Sequence, residues 1–139
     1  MIRDQETLNL LLDTISRFVR ERLVPNEARV AETDRIPDEL VSEMKELGLF
    51  GLSIPEEHGG MGLTMEEEVL ATFEIGHTSP CFRSLFATNN GIGGQGIVID
   101  GTPEQKARYL PKLVTGEFIG SFALTEPDSG SDAASLRTT

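Results

Sequence analysis

Gly120-Ser-Phe-Ala-Leu-Thr-Glu-Pro-Asp-Ser-Gly-Ser-Asp132 is the stretch on which the reading of the fold turns. Phe118 to Leu124, with Ile119 and Phe122, is a short apolar run that reads as a buried strand. It opens into a polar loop from Thr125 to Asp132. Pro127 holds Glu126 extended, Gly130 removes the side chain that would block backbone approach, and Ser131 sets a hydroxyl beside it. Such a loop can surround a flat polar ring and a phosphate with neutral donors. The same residues also make an ordinary surface turn. The loop carries Glu126, Asp128 and Asp132 and no Lys or Arg, so an anionic ligand requires those carboxylates turned away and positive charge brought from elsewhere. A lone strand has unpaired backbone groups on both edges and needs partners. The chain therefore reads as one piece of a larger protein.

Upstream of this run the period is helical. Leu8, Leu11, Leu12, Ile15, Phe18, Val19 and Leu23 recur at spacings of three and four, one apolar stripe that Pro25 is expected to end. A second helix starts at Pro37, with Asp38 and Glu39 in its first turn, the stripe Leu40, Val41, Met44 and Leu47, and Gly48 placed to cap its end. An apolar, glycine-rich connector covers 49–63. Thr64 with Glu67 forms a capping box that opens a third helix through Val69, Leu70 and Phe73. Ser79-Pro80 starts a fourth helix with Phe82, Leu85 and Phe86. Thr102, Pro103 and Gln105 start a fifth, carrying Leu110 and Leu113 and stopping by Gly116. The expected class is mostly α: an N-terminal helical bundle over 1–117, then over 118–139 the first strand and loop of a β domain.

The chain has 139 residues, 12 basic and 23 acidic, a net charge of −11, with one Cys and no Trp. One cysteine excludes a disulfide framework and suits a reducing compartment. The polar start Arg3, Asp4, Gln5, Glu6 is no secretory signal, and no apolar run is long enough to span a bilayer. The acidic balance argues against nucleic acid or an anionic membrane as partner. A soluble, cytoplasmic domain is expected. Residues 36–82 carry one basic and ten acidic side chains, which read as a solvated surface; a docking face for a basic partner, in a non-catalytic interaction module, is the alternative.

Several motifs fail on context. Gly91, Gly93 and Gly96 match G-x-G-x-x-G, but a dinucleotide site needs a strand before it and a helix after it. Here Leu85, Phe86 and Ala87 belong to a helix and Ile97, Val98 and Ile99 look β-branched, so close packing or a kink is expected instead of NAD binding. His77 and Cys81 lie four apart, yet Pro80 breaks the helix between them, and two ligands do not complete a zinc site. Gly51 and Ser53 lack the closing glycine of a nucleophile elbow because Pro55 stands there. His58, in a glycine-rich turn, reads as a loop residue.

At 120–132 the chain resembles the flavin-binding signature of the acyl-CoA dehydrogenase family. Upstream stretches support the likeness in the same order: Gly48-Leu-Phe-Gly51, Ile54-Pro-Glu-Glu-His-Gly-Gly60 with Gly62-Leu63, Gly101-Thr-Pro-Glu-Gln-Lys106, and Tyr109-Leu-Pro-Lys-Leu113. The likeness covers nearly the whole chain but about the first third of a typical member. It implies α,β-dehydrogenation of an acyl-CoA thioester with FAD as hydride acceptor and an electron-transfer flavoprotein as electron acceptor. Phe122, Ala123 and Leu124 would line the flavin through the backbone, and Thr125 would hydrogen-bond the pyrimidine end of the ring. Gly130 and Ser131 would approach the pyrophosphate, with Ser131 also bordering the acyl-CoA. In a homo-oligomer, a dimer or tetramer, a neighbouring subunit would supply an arginine to the site.

The family's Trp-containing segment, its second helical domain and the catalytic glutamate carried there have no counterpart in these residues. No catalytic residue is therefore nominated, and the chain by itself is expected to be inactive. An acyl-CoA oxidase-like relative remains the alternative within the fold. Phe82-Arg83-Ser84 is similar to a Tyr-Arg-Ser stretch of glutaryl-CoA members, whose arginine meets a distal carboxylate. Arg83 is a substrate candidate on that ground, although a second acid of that site falls on Gly76, and a solvated arginine also fits.

Overall fold

Helical periodicity carries the chain as far as Val114. The computed structural model describes residues 5–138; residues 1–4, which include part of the polar start, and Thr139 lie outside them. Among the described residues stand seven α-helices: α1 (Gln5–Phe18), α2 (Glu27–Thr33), α3 (Asp38–Glu46), α4 (Met65–Ile75), α5 (Pro80–Asn90), α6 (Gln95–Asp100) and α7 (Pro103–Val114). The class is mostly helical, as expected.

Helix α1 buries Leu8, Ile15 and Phe18 and packs against α4. Pro25 does not end the helical run. The α-helix gives way at Val19 to a single wide turn, Val19–Leu23, in which the amide of Val24 donates to the carbonyl of Val19, five residues back. Pro25 then occupies the opening of a 3-10 turn, Val24–Asn26, where its missing N–H deprives no helix of a bond. The chain continues into α2, which the sequence pattern does not reveal. Asp34, at φ 51°, ends that helix in the left-handed region.

Local capping signals hold where they are read. Pro37 precedes α3, with Asp38 and Glu39 in its first turn, and Gly48 follows at φ 70°. Both capping boxes form: Glu67 Oε2 accepts from the Thr64 amide at 2.7 Å, and Gln105 Oε1 accepts from the Thr102 amide at 2.8 Å. The start of α5 is capped from a distance. Glu27 Oε1, at the head of α2, accepts from both the Thr78 hydroxyl and the Ser79 amide at 2.7 Å.

The main core gathers Ile15, Val19, Leu23, Met44, Phe50 and Phe82 from α1, the wide turn after it, α3, α5 and the connector. Ile54, Leu110 and Leu113 form a smaller cluster under α7. The acidic middle is mostly exposed, and three of its acids pair with the preceding segment: Arg22–Glu43 at 2.6 Å, Arg29–Glu39 at 3.2 Å and Arg35–Asp38 at 2.8 Å. No helix among the described residues is long and apolar enough to cross a membrane.

The strand expected over Phe118–Leu124 is not formed. No strand ladder exists among the described residues, and the only bridge pairs Glu126 with Ser129. A strand is defined by its partners, and none lies alongside this one. Its apolar side chains are consequently exposed instead of buried: Phe118, Ile119, Phe122 and Leu124 each show 40% or more of their surface.

Candidate functional site

The end of α5 organises the segments around it. Asn89 and Asn90 are buried, a costly position for an amide unless every polar atom is satisfied. Asn89 Nδ2 donates to the carbonyls of Leu113 and Phe118, both at 2.9 Å, and its Oδ1 accepts from the Gly120 amide at 2.7 Å. One side chain thus ties α5 to the end of α7 and to the first residues of the 118–125 segment. Asn90 Nδ2 donates to the Leu49 carbonyl at 2.7 Å, while Ser53 Oγ donates to the Asn90 carbonyl at 2.6 Å. Gln95 Nε2 closes the network on Ser53 Oγ at 3.1 Å and on the Asn90 carbonyl at 3.2 Å.

Ser53, Asn90 and Gln95 form the polar side of a cavity of about 610 Å³ between α4, α5 and α6. Its apolar wall includes Leu63, Val69, Phe73 and Ile99. Arg83 lines it from α5, opposite Glu68 and Thr72 of α4. Half-burial pushes the Glu68 carboxyl up from its ordinary value, and the positive charge of Arg83 partly offsets that. The cavity was not legible in the sequence; a pair of asparagines ending a helix reads equally well as a solvated cap.

Glycines line two cavities beside the end of α5. Gly91 lines the 610 Å³ cavity, and Gly93 lines a neighbouring one of about 340 Å³ that also takes in Tyr109, Phe118, Gly120 and Ser121. A Cβ on Gly93 would lie 2.9 Å from the Thr88 carbonyl oxygen and 3.2 Å from the Gly120 Cα. Close packing is therefore what Gly93 permits. A Cβ on Gly96 would meet nothing within 4 Å, and Ile97, Val98 and Ile99 lie in α6 instead of a strand, so the G-x-G-x-x-G run lacks the strand-then-helix order of a dinucleotide site.

The six flavin candidates stand together at the end of the described chain. Phe122, Ala123, Leu124 and Thr125 form an exposed, irregular segment, and Gly130 and Ser131 follow the Glu126–Ser129 bridge. Arg83 is not brought to them; it lines the α4–α5 cavity, which none of the six lines. The acids of the loop are partly spent inside it. Glu126 accepts from the amides of Arg137 and Thr138, and Asp132 accepts from the Ser135 hydroxyl at 2.5 Å. Among the described residues the amides of Gly130 and Ser131 and the hydroxyls of Thr125 and Ser131 make no hydrogen bond. Space for a Cβ at Gly130 is bounded only by Thr125 Cγ2 at 3.6 Å.

His77 falls in the turn between α4 and α5, and Cys81, half-buried in α5, packs on the main core. His58 sits in the 3-10 turn Glu56–His58, 3.5 Å from Glu57. Among the described residues no three His, Cys, Asp or Glu side chains converge on a metal site.

A family model for the acyl-CoA dehydrogenase N-terminal domain matches residues 5–117. The chain belongs to the acyl-CoA dehydrogenase family. An acyl-CoA dehydrogenase of Bacillus subtilis is 39% identical over 122 residues, 88% of this chain and 32% of that protein. A glutaryl-CoA dehydrogenase from Mycobacterium smegmatis superposes with a TM-score of 0.83 at 34% identity, over 98% of this chain and 35% of that one. An acyl-CoA dehydrogenase complexed with FAD from Bacillus anthracis gives 0.78 at 33% identity, over 96% and 23%. The chain thus spans about a third or less of the length of these relatives.

Proposed function

We propose that these residues supply the N-terminal helical domain (1–117) and the flavin-facing loop (118–139) of an FAD-dependent acyl-CoA dehydrogenase. The observation that carries this is the loop itself. Its neutral donors, exposed and without a partner inside the loop, suit a ligand rich in acceptors, while the carboxylates of Glu126 and Asp132 are held by donors of the loop itself and keep their charge, so positive charge for a diphosphate comes from outside these residues. A group with a flat, acceptor-edged ring and a diphosphate fits that donor set.

Bound there, FAD supplies the hydride acceptor for α,β-dehydrogenation of an acyl-CoA. The Thr125 hydroxyl would hydrogen-bond the polar edge of the ring, where a donor favours the reduced cofactor. The backbone of Phe122, Ala123 and Leu124 would line the ring, and Gly130 and Ser131 would offer amides to the diphosphate, with Ser131 also bordering the acyl-CoA. The acyl chain enters the α4–α5 cavity along Val69 and Phe73, with Arg83 and Glu68 among the residues that line it. The catalytic base comes from outside these residues, so the 139-residue chain by itself is inactive. The working enzyme is a homo-oligomer that passes electrons to an electron-transfer flavoprotein.

The test uses the complete gene product. It should purify yellow, and its flavin absorbance should bleach without oxygen when acyl-CoA is added. A complete gene product that holds no flavin ends this reading.

A further inference from the structure

Glu126 reaches eleven and twelve residues along the chain. Its Oε2 accepts from the Arg137 amide at 3.0 Å, and its Oε1 accepts from the Thr138 amide at 2.8 Å and from the Thr138 hydroxyl. Its own amide donates to the Ser129 carbonyl at 2.8 Å, and the Ser129 amide returns a bond to the Glu126 carbonyl at 3.2 Å. Inside the ring so closed, the Ser129 hydroxyl, on a residue only 4% exposed, donates to the Asp132 carbonyl at 2.5 Å. Thr125 precedes the ring directly, and Gly130 and Ser131 lie within it.

We propose that Glu126 is a positioning residue: its carboxylate clamps the backbone at Arg137 and Thr138 and closes 126–138 into a ring that fixes where Thr125, Gly130 and Ser131 present their donors. The purpose assigned to the clamp rests on the flavin reading above; the clamp itself does not. Three features favour it. A carboxylate accepting several N–H and O–H donors makes stronger bonds than a neutral acceptor would. The donors are mostly backbone, so the effect is on chain path and not on one neighbouring side chain. The segment lacks the ladder that would otherwise hold it, so little else restrains its course. The Glu126 carboxyl lies below its ordinary range, chiefly through the Thr138 hydroxyl.

Amide hydrogen exchange at Arg137 and Thr138, measured by NMR on the 139-residue chain, tests the clamp directly. Glu126→Ala should speed both amides roughly tenfold or more. Glu126→Gln, which keeps one acceptor of the same shape, should fall between the alanine variant and wild type. Helical amides such as those of α1 should be unchanged in both. Unchanged exchange at Arg137 and Thr138 overturns the clamp. In the complete gene product, Glu126→Ala should release FAD roughly tenfold faster, with Glu126→Gln partly restoring retention. Retention unaffected while the two amides are accelerated overturns the positioning role and leaves the flavin reading standing. A wild-type gene product without flavin, alongside accelerated amides in Glu126→Ala, overturns the flavin reading and the purpose given to the clamp.

Discussion

Replacing Asn89 by Ala would remove the one side chain that joins α5, the end of α7 and the start of the loop segment. Asn89 is fully buried and makes two donated and one accepted hydrogen bond. The truncation leaves the Leu113 and Phe118 carbonyls and the Gly120 amide without it. Each orphaned buried group costs about 1–3 kcal/mol. The Leu113 carbonyl keeps the bond it accepts from the Gly116 amide at 3.1 Å, whereas the Phe118 carbonyl and the Gly120 amide lose their partner at partly open sites where water recovers some of the loss. The expected total is about 2–4 kcal/mol, which for a chain of this size lowers Tm by roughly 5–15 °C. Thermal and urea unfolding followed by circular dichroism would measure it. Asn89→Asp sharpens the test by placing a carboxylate against two carbonyl oxygens. Desolvation and the facing carbonyls favour its protonated form in the folded state, so its stability should improve as pH falls through the raised value toward the ordinary carboxylate range. A change below about 0.5 kcal/mol in Asn89→Ala would refute the view that this amide holds the three segments together.

Gly94→Ala and Gly96→Ala should part company. A Cβ at Gly94 meets the Asn89 carbonyl oxygen at 2.0 Å, so the backbone must move and folding should suffer by more than about 2 kcal/mol, whereas Gly96, open and helical, should gain about 0.5–1 kcal/mol in urea unfolding. Glu27→Ala removes the remote cap of α5 and should cost about 1–3 kcal/mol, with Glu27→Gln costing less, read from urea midpoints at unchanged slope. The Glu43 carboxylate is held low chiefly by its hydrogen bonds from Arg22, so its stabilisation is present above the ordinary carboxylate range and lost as pH falls through the depressed value. Solvent screening keeps that difference between wild type and Glu43→Gln under about 1 kcal/mol at neutral pH, and it should vanish in acid. The exposed Phe118, Ile119, Phe122 and Leu124 should drive self-association, so sedimentation ought to give a mass that rises with concentration, and Phe122→Ser with Leu124→Ser should reduce it.

What the sequence reveals here is what is local. Thr64–Glu67, Thr102–Gln105, Pro37 and Gly48 act over three or four residues, and each stands where its pattern places it. The wide turn at Val19, α2 beyond Pro25 and α6 after the glycines escape the pattern because neighbouring segments decide them. Ile97, Val98 and Ile99 favour a strand by propensity, yet α7 and the Ile54 cluster receive Ile97 and Val98 as helix, while Ile99 stays exposed. The 118–124 segment shows the reverse: a strand pattern without a partner. Within the site, the loop was readable residue by residue. The α4–α5 cavity, the Asn89 tie and the reach of Glu126 join positions far apart in the chain, and no short window contains both ends.

The wide turn at Val19–Leu23 has a consequence for how this helix tolerates length changes. Such a turn accommodates one surplus residue while both flanks keep their inward faces. Deleting the exposed Arg20 would let the helix pass through in ordinary geometry with Ile15 and Leu23 still turned inward, whereas a deletion in the middle of α4 would swing Ala71 and Ile75 away from their partners. The first helix thus has a built-in slack point, and a systematic scan of single-codon deletions should find its permissive window there.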